Sequence, residues 1–154
     1  MILNYNRCIP QLQFHISKGK IPINVGIIPS KWSGAILSVL RILTGLLFIS
    51  HGMTKLFNFP ATPYFPSPVP VMSFMGVTGV IELVGGALII LGLFTRLTAF
   101  ILAGQMAVAY FMAHAPQGLY PITNGGELAI MFCFVFLYLA ANGPGPWSID
   151  ARRA

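Results

Sequence analysis

Four long apolar segments, separated by short stretches rich in proline, glycine and polar residues, organise the chain. They cover approximately residues 34–57, 72–94, 97–115 and 125–142. Each has about 18–24 residues, and at about 1.5 Å rise per residue such a helix reaches across most or all of a bilayer core of about 30 Å. The pattern therefore predicts an all-α membrane protein, a bundle of four transmembrane helices.

Composition supports the membrane class and excludes others. Of the 154 residues, 56% are hydrophobic and 8% are charged, with a mean hydropathy of +0.79. Soluble domains carry about 25% charged residues, so too few charges remain here to solvate a globular surface. The net charge of +6 is dispersed along the chain and forms no basic run, which argues against nucleic acid as a partner.

The basic residues predict the orientation of the bundle. Seven of them fall in the N-terminal tail, the turn after the second span and the C-terminal end: Arg7, Lys18, Lys20, Lys31, Arg96, Arg152 and Arg153. The other two connections hold none, apart from Lys55 at the end of the first span. By the positive-inside rule, both termini are expected in the cytoplasm. We therefore expect a cytoplasmic tail over 1–32, a membrane domain over 33–150 and a cytoplasmic end over 151–154.

Ionisable residues nevertheless occur inside the spans. Arg41, His51 and Lys55 lie in the first span, and at 100° per residue they fall within roughly 80° of one another around the helix. Glu82 lies within the second span and Glu127 begins the fourth. Because breaking a buried ion pair is costly, the simplest arrangement pairs Arg41 with Glu82, and Lys55 or His51 with Glu127. Under this interpretation the charges only lock the helices together.

A functional interpretation stays open beside it, because ionisable groups inside a membrane commonly mark a site. In the predicted topology five such residues, joined by Tyr110, meet in the outer half of the bundle: His51, Lys55, Glu82, His114 and Glu127. Histidine titrates near neutral pH, so His51 and His114 are candidate proton carriers. Lys55, Glu82, Glu127 and Tyr110 would line the pocket, and a quinone would suit such a polar site in an apolar cavity.

Other chemistries lack their sequence signals. The cysteines, Cys8 and Cys133, are far apart, with no CxxC motif and no Cys/His spacing typical of a metal site, so neither a disulfide nor a bound metal is predicted. The sequence contains no nucleotide-binding loop, no Ser/His/Asp set and no haem-attachment motif. We therefore expect no covalently bound cofactor, and any electron carrier would be diffusible.

Four segments in this order resemble the DoxX family of small bacterial membrane proteins. They are 41–57 with its Arg, His-Gly and Lys-Leu-Phe; 82–96 with its Glu, Gly-Gly and Thr-Arg; 114–127 with His-Ala-Pro and Gly-Gly-Glu; and 143–150 with Gly-Pro-Gly-Pro-Trp. The resemblance covers residues 33–150 and implies a four-helix, multi-pass protein of the bacterial inner membrane.

The resemblance implies function less specifically. Some members are linked to quinone-dependent oxidation or to thiol stress, often within larger complexes. The expectation is a quinone-linked redox component. The alternatives are a non-catalytic membrane subunit of a soluble or membrane oxidoreductase, and a small-molecule transporter. Apart from the lipid bilayer, the expected partners are a quinone, such an oxidoreductase and a second copy of the chain.

Overall fold

The computed structural model describes residues 29–153, and within this range every regular element is helical. A 3₁₀ turn over Ser30–Trp32 leads into the first helix. The α-helices are α1 (Ser33–Phe57), α2 (Phe74–Leu91), α3 (Thr95–Ala109), α4 (Pro121–Asn124), α5 (Glu127–Asn142) and α6 (Ile149–Arg153). The expectations for the tail over residues 1–28, including Cys8, and for Ala154 lie outside the described residues.

Three of these helices are long and apolar enough to cross a membrane. They are α1 with its preceding turn, α2, and α3 extended to Gln117 by a π-helix over Tyr110–His114 and a 3₁₀ turn over Ala115–Gln117. The apolar α5 has 16 residues, or about 24 Å of helix. The predicted helical membrane bundle is confirmed, with α1, α2, α3 and α5 as its four helices.

Glycines set the closest helix contact. α1 packs mainly on α2, and α3 packs mainly on α5. A Cβ atom at Gly45 would lie 2.9 Å from the carbonyl oxygen of Gly86, and one at Gly52 would lie 2.7 Å from that of Gly79. Gly45 and Gly52 are seven residues apart on α1, and Gly79 and Gly86 are seven residues apart on α2. Each pair therefore lies on one face of its helix, and the two backbones approach without intervening side chains.

Aromatic residues fill the space between α1 and α5. Phe48 of α1 is edge-on to Phe132 and Phe136 of α5, with ring centroids 5.3 and 4.9 Å apart. Phe132 and Phe136 are stacked on each other, one helical turn apart. Edge-to-face pairs of this kind are favourable beyond the area they bury. They join the α1–α2 pair to the α3–α5 pair.

The helix boundaries differ from the sequence prediction where local capping decides them. α2 ends at Leu91, not near residue 94, because Gly92 adopts a left-handed conformation with φ of 66°. α3 begins at Thr95, not near residue 97, because the Asp150 carboxylate accepts hydrogen bonds from the Phe94 and Thr95 amides at 2.9 and 2.8 Å. The sequence pattern did not predict the π-helix, α4 or α6.

The bundle has two distinct ends. The basic end holds Lys31, Arg96, Arg152 and Arg153, with the turn 92–94 and the segment 143–153. The loop end holds the connections 58–73 and 118–126, the second of which follows the π-helix and the 3₁₀ turn. The basic end is tightly tied, since Ser38 Oγ accepts a hydrogen bond from the Trp147 amide and the Asp150 amide donates to Gly92.

Candidate buried polar site

Lys55 and Glu82 form an ion pair within the bundle, towards its loop end. Lys55 Nζ lies 2.5 Å from Glu82 Oε1, and the two side chains are only 13% and 2% exposed. The glycine contact makes this pair possible: the Lys55 Cβ lies 3.3 Å from where a Cβ of Gly79 would be. The lysine stem crosses over that glycine, so its ammonium group reaches the carboxylate three residues further along α2.

Thr78 and Gln105 complete a four-residue cluster, which we call the buried polar site. Lys55 Nζ donates to Thr78 Oγ1 at 3.2 Å. Gln105 Nε2, from α3, donates to Glu82 Oε1 at 3.3 Å and to the Thr78 carbonyl at 3.2 Å. The site therefore joins three helices. Along the axis of α2, Glu82 lies about 12 Å from the start of the helix.

Two oxygen atoms of this site are buried and have no hydrogen-bond partner: Glu82 Oε2 and Gln105 Oε1. Unsatisfied buried acceptors are uncommon and costly, so each calls for a donor. Lys55 offers a donor in the same place. Its ammonium group has three N–H donors, and only two of them are used within the site, by Thr78 and Glu82. The arrangement suits a ligand that carries hydroxyl or carbonyl oxygens.

The predicted ion pair between Arg41 and Glu82 is wrong. Arg41 is completely buried, but its guanidinium donates to four backbone carbonyls, those of Ile89, Ile90, Pro144 and Trp147. These carbonyls lie where α2 ends and where the segment 143–148 folds back, so they are not used in regular helical hydrogen bonds. Cations stabilise such free carbonyls at helix C-termini. The hydrogen bonds to them hold the Arg41 side chain at the basic end, away from Glu82.

The predicted pairing of Lys55 or His51 with Glu127 is also wrong. Lys55–Glu82 is the one ion pair within residues 29–153. Glu127 is exposed in the first turn of α5, where the helix dipole favours an acid. The sequence placed Glu127 at the correct end of the bundle but could not show that its side chain leaves the interior.

The histidines lie outside the buried polar site. His51 is exposed, and its ring is edge-on to Phe132 with centroids 5.8 Å apart. His114 Nδ1 is 2.9 Å from the Asn124 carbonyl oxygen, and its ring stacks on Tyr110. Within the described residues, neither histidine forms a hydrogen bond with Glu82 or Lys55. Their predicted proton-carrying role, and the pocket role of Tyr110 and Glu127, remain predictions.

Of the predicted site residues, the structure brings together Lys55 and Glu82. Sequence reasoning missed Thr78 and Gln105, although an amide side chain in the apolar segment 99–109 is a usable signal because it needs a partner within the bundle. Between residues 29 and 153 no group of three His, Cys, Asp or Glu side chains is placed to hold a metal ion.

The DoxX family model matches residues 36–115, just over half of the chain. An uncharacterized protein of Haemophilus influenzae is 43% identical over 125 residues, which cover 79% of this chain and 93% of that protein. The chain belongs to the DoxX family. The matched range contains all four residues of the buried polar site, whereas Glu127 lies beyond it.

Two further relatives carry more informative names. Inner membrane protein YqjF of Escherichia coli is 34% identical over 115 residues, covering 73% of this chain and 87% of YqjF. A Bacillus subtilis protein named "Putative oxidoreductase CatD" is 29% identical over 113 residues, covering 73% of this chain and 82% of CatD. No solved structure gives a significant match. This DoxX protein is accordingly a multi-pass protein of the bacterial inner membrane.

Proposed function

We propose that this DoxX-family protein is a quinone-linked redox component whose buried polar site binds the quinone head group. The observation that carries the proposal is Glu82, a carboxylate inside the membrane with one oxygen bound to Lys55 and Gln105 and the other without a donor. The oxidoreductase in the name of the relative CatD supports the reaction class.

The chemistry of a quinone fits this donor and acceptor set. A quinol hydroxyl donates a hydrogen bond to Glu82 Oε2, and a quinone carbonyl accepts one from the third N–H of Lys55. Reduction of the quinone takes two electrons and two protons. Glu82 passes these two protons one after the other to or from the bound head group, and a partner oxidoreductase delivers or removes the two electrons.

His51 is the residue best placed to connect this site with the surroundings of the bundle. It precedes Lys55 by one turn of α1 and is exposed, whereas Lys55 is mostly buried. Residues four apart lie on one face of a helix, so a proton passes from His51 to the buried polar site over a single turn. His114 lies farther out, beside Asn124 in the loop end, and serves the same route near the surface.

The test is quinone binding to the purified protein in mild detergent. Glu82→Gln keeps the size of the side chain but removes its charge, and we expect binding about tenfold weaker or worse, as when a buried polar contact to a ligand is lost. Glu127→Gln makes the same chemical change at an exposed position. Unfolding temperatures of both variants exclude a loss of fold.

Three outcomes decide the proposal. Loss of binding in Glu82→Gln alone supports it. Loss in Glu127→Gln alone moves the ligand to the rim predicted from the sequence. No binding to the unchanged protein, together with recovery of a stoichiometric oxidoreductase, favours a non-catalytic membrane subunit in which Lys55 and Glu82 only join helices.

A further inference from the structure

The groove between α2 and α3 runs towards the buried polar site, and we propose that it holds the isoprenoid tail of the quinone. This inference rests on the proposed function and deepens it. It specifies a ligand with a long apolar tail, which enters sideways from the bilayer and not from the water at the loop end.

The groove has a volume of about 280 Å³. Its walls include Ile81, Val84 and Leu88 of α2, with Ile101 of α3, and its floor is formed where Leu102 packs on Gly85. A Cβ at Gly85 would lie 2.7 Å from Leu102, so the glycine lets Leu102 pack against the backbone of α2 and leaves the space above it open. Val84 and Ile101 are 56% and 53% exposed, so the groove opens to the lipid.

The groove and the buried polar site are neighbours along both helices, although the site residues themselves do not line the groove. On α3, Ile101 and Leu102 come one turn before Gln105, on the same helix face. On α2, Glu82 lies three residues before Gly85, so the two residues are neighbours on the helix surface. The hydrogen bonds of Gln105 to Glu82 and to Thr78 cross from α3 to α2 beside the groove. An amphiphile with a polar head and an apolar tail matches this sequence of surfaces.

The size of the groove favours a tail over a whole ligand. Pockets that enclose complete small molecules have volumes of about 300–1,000 Å³, whereas this one lies at the lower limit of that range and is open to the lipid at Val84 and Ile101. Inside a bilayer an apolar tail gains little from leaving lipid, so the groove contributes through close packing that orients the head group. Branched isoprenoid methyl groups pack into such a surface between Val84, Leu88 and Ile101.

The experiment compares two quinones that share one head group, one without a side chain and one with several isoprenoid units. Both are titrated against the purified full chain in detergent. Val84→Trp fills the groove, and Val39→Trp makes the same change on the exposed face of α1, outside the groove. We expect Val84→Trp to weaken binding of the tailed quinone by about tenfold, the effect of a steric change in an apolar ligand site. The tailless quinone should bind within about twofold of the unchanged protein.

The outcomes separate the two proposals. If the tailless quinone binds the unchanged protein and Val84→Trp alters neither titration, the tail lies elsewhere and the groove inference is overturned. Equal weakening of both quinones by Val84→Trp also overturns it, because the effect then concerns the head group or the fold. If the tailless quinone does not bind, or binds Glu82→Gln equally well, the proposed function fails and the groove inference fails with it.

Discussion

Arg41 is completely buried, yet its hydrogen-bond partners are backbone carbonyls and not a carboxylate. A guanidinium has five N–H donors in a rigid plane, so one side chain can satisfy the end of α2 and the segment 143–148 together. Glu82 is consequently free to pair with Lys55. Charge in this bundle is thus divided between a structural cation at the basic end and a polar site towards the loop end.

This division predicts two different double-mutant cycles. Arg41→Met and Glu82→Gln do not share partners, so their effects on the free energy of unfolding should add within about 0.5 kcal/mol. Lys55→Met and Glu82→Gln share an ion pair, and their coupling should lie in the range of about 0.5–3 kcal/mol. Unfolding in detergent by a chemical denaturant measures both. A coupling between Arg41 and Glu82 larger than that between Lys55 and Glu82 would restore the pairing expected from sequence.

Asp150 gives the basic end a dependence on pH. Partial desolvation acts to raise its pKa, but the hydrogen bonds from Thr95 and Phe94, aided by nearby Arg153, hold the pKa below its ordinary value. A carboxyl whose folded-state pKa is lowered stabilises the protein above its unfolded pKa of about 4, and this contribution is lost as the pH falls through the lower folded value.

We therefore expect Asp150→Asn, which keeps one acceptor oxygen but removes the charge at the start of α3, to lower the stability at pH 7 by about 0.3–1 kcal/mol. The difference from the unchanged protein should shrink as the pH falls below about 4, where the carboxyl of the unfolded chain becomes protonated, and should be lost once the pH passes the lower folded-state pKa of Asp150. Unfolding temperatures of both proteins between pH 7 and pH 3 measure it. A difference that stays constant over this range would show that the carboxylate does not cap α3 through its charge.

At the scale of elements, the α1–α2 pair depends on glycines that exclude side chains from the contact. The same close approach places Lys55 over Gly79 and so builds the buried polar site. The packing of the π-helix that ends the third span likewise depends on a glycine. The Tyr110 ring occupies the space at Gly126, where a Cβ would lie 2.6 Å from it, and His114 is fixed by Asn124. These elements position chemistry through contacts with small residues.

Gly52 and Gly104 allow this to be tested with one substitution at two sites. Gly52→Ala places a methyl group 2.7 Å from the Gly79 carbonyl oxygen, so α1 and α2 must separate, at an expected cost of about 1–3 kcal/mol. Gly104→Ala meets nothing within 4 Å and should leave stability unchanged or raise it by about 0.5–1 kcal/mol. Unfolding in detergent compares them. Equal effects would mean that the glycine contact does not control helix packing.

At the scale of the whole molecule, the structure separates a basic end from a loop end. The positive-inside rule assigns the basic end to the cytoplasm, which would put the buried polar site in the outer half of the bilayer. Proton exchange at the site would then take place with the outer side of the inner membrane. The orientation therefore decides from which side a partner or a proton reaches Glu82.

Cysteine labelling tests this orientation. In a chain with Cys8 and Cys133 replaced by serine, Leu119→Cys lies in the loop end and Ala151→Cys in the basic end, and both positions are exposed. We expect a membrane-impermeant maleimide to label residue 119 in cells with a permeabilised outer membrane. Residue 151 should react only after the inner membrane is opened. Labelling in the opposite order would invert the topology and move the site to the cytoplasmic half.

The hydrophobic pattern alone determined the membrane class, the four helices and the approximate position of each ionisable residue, because helix length and bilayer thickness leave few alternatives. It also identified Lys55 and Glu82 as residues that need partners inside the bundle. The choice of partners depended on tertiary structure. The position of a charged residue in a helix determines its depth in the membrane and the direction of its side chain, but several possible partners can share that depth and direction. Backbone carbonyls at the end of a helix are also partners, and a pattern of side chains does not reveal them.

Only the packing of helices therefore showed that Arg41 binds carbonyls, that Glu127 and His51 face outward, and that Gln105 and Thr78 complete the site. The seven-residue spacing of Gly45 and Gly52 is readable in the sequence, but which helix they contact is not. The contact of Gly45 and Gly52 with Gly86 and Gly79 fixes the position of α1 along α2, and that position places Lys55 beside Glu82. Local order follows from periodicity, whereas a site shared by three helices follows from the distances between their backbones.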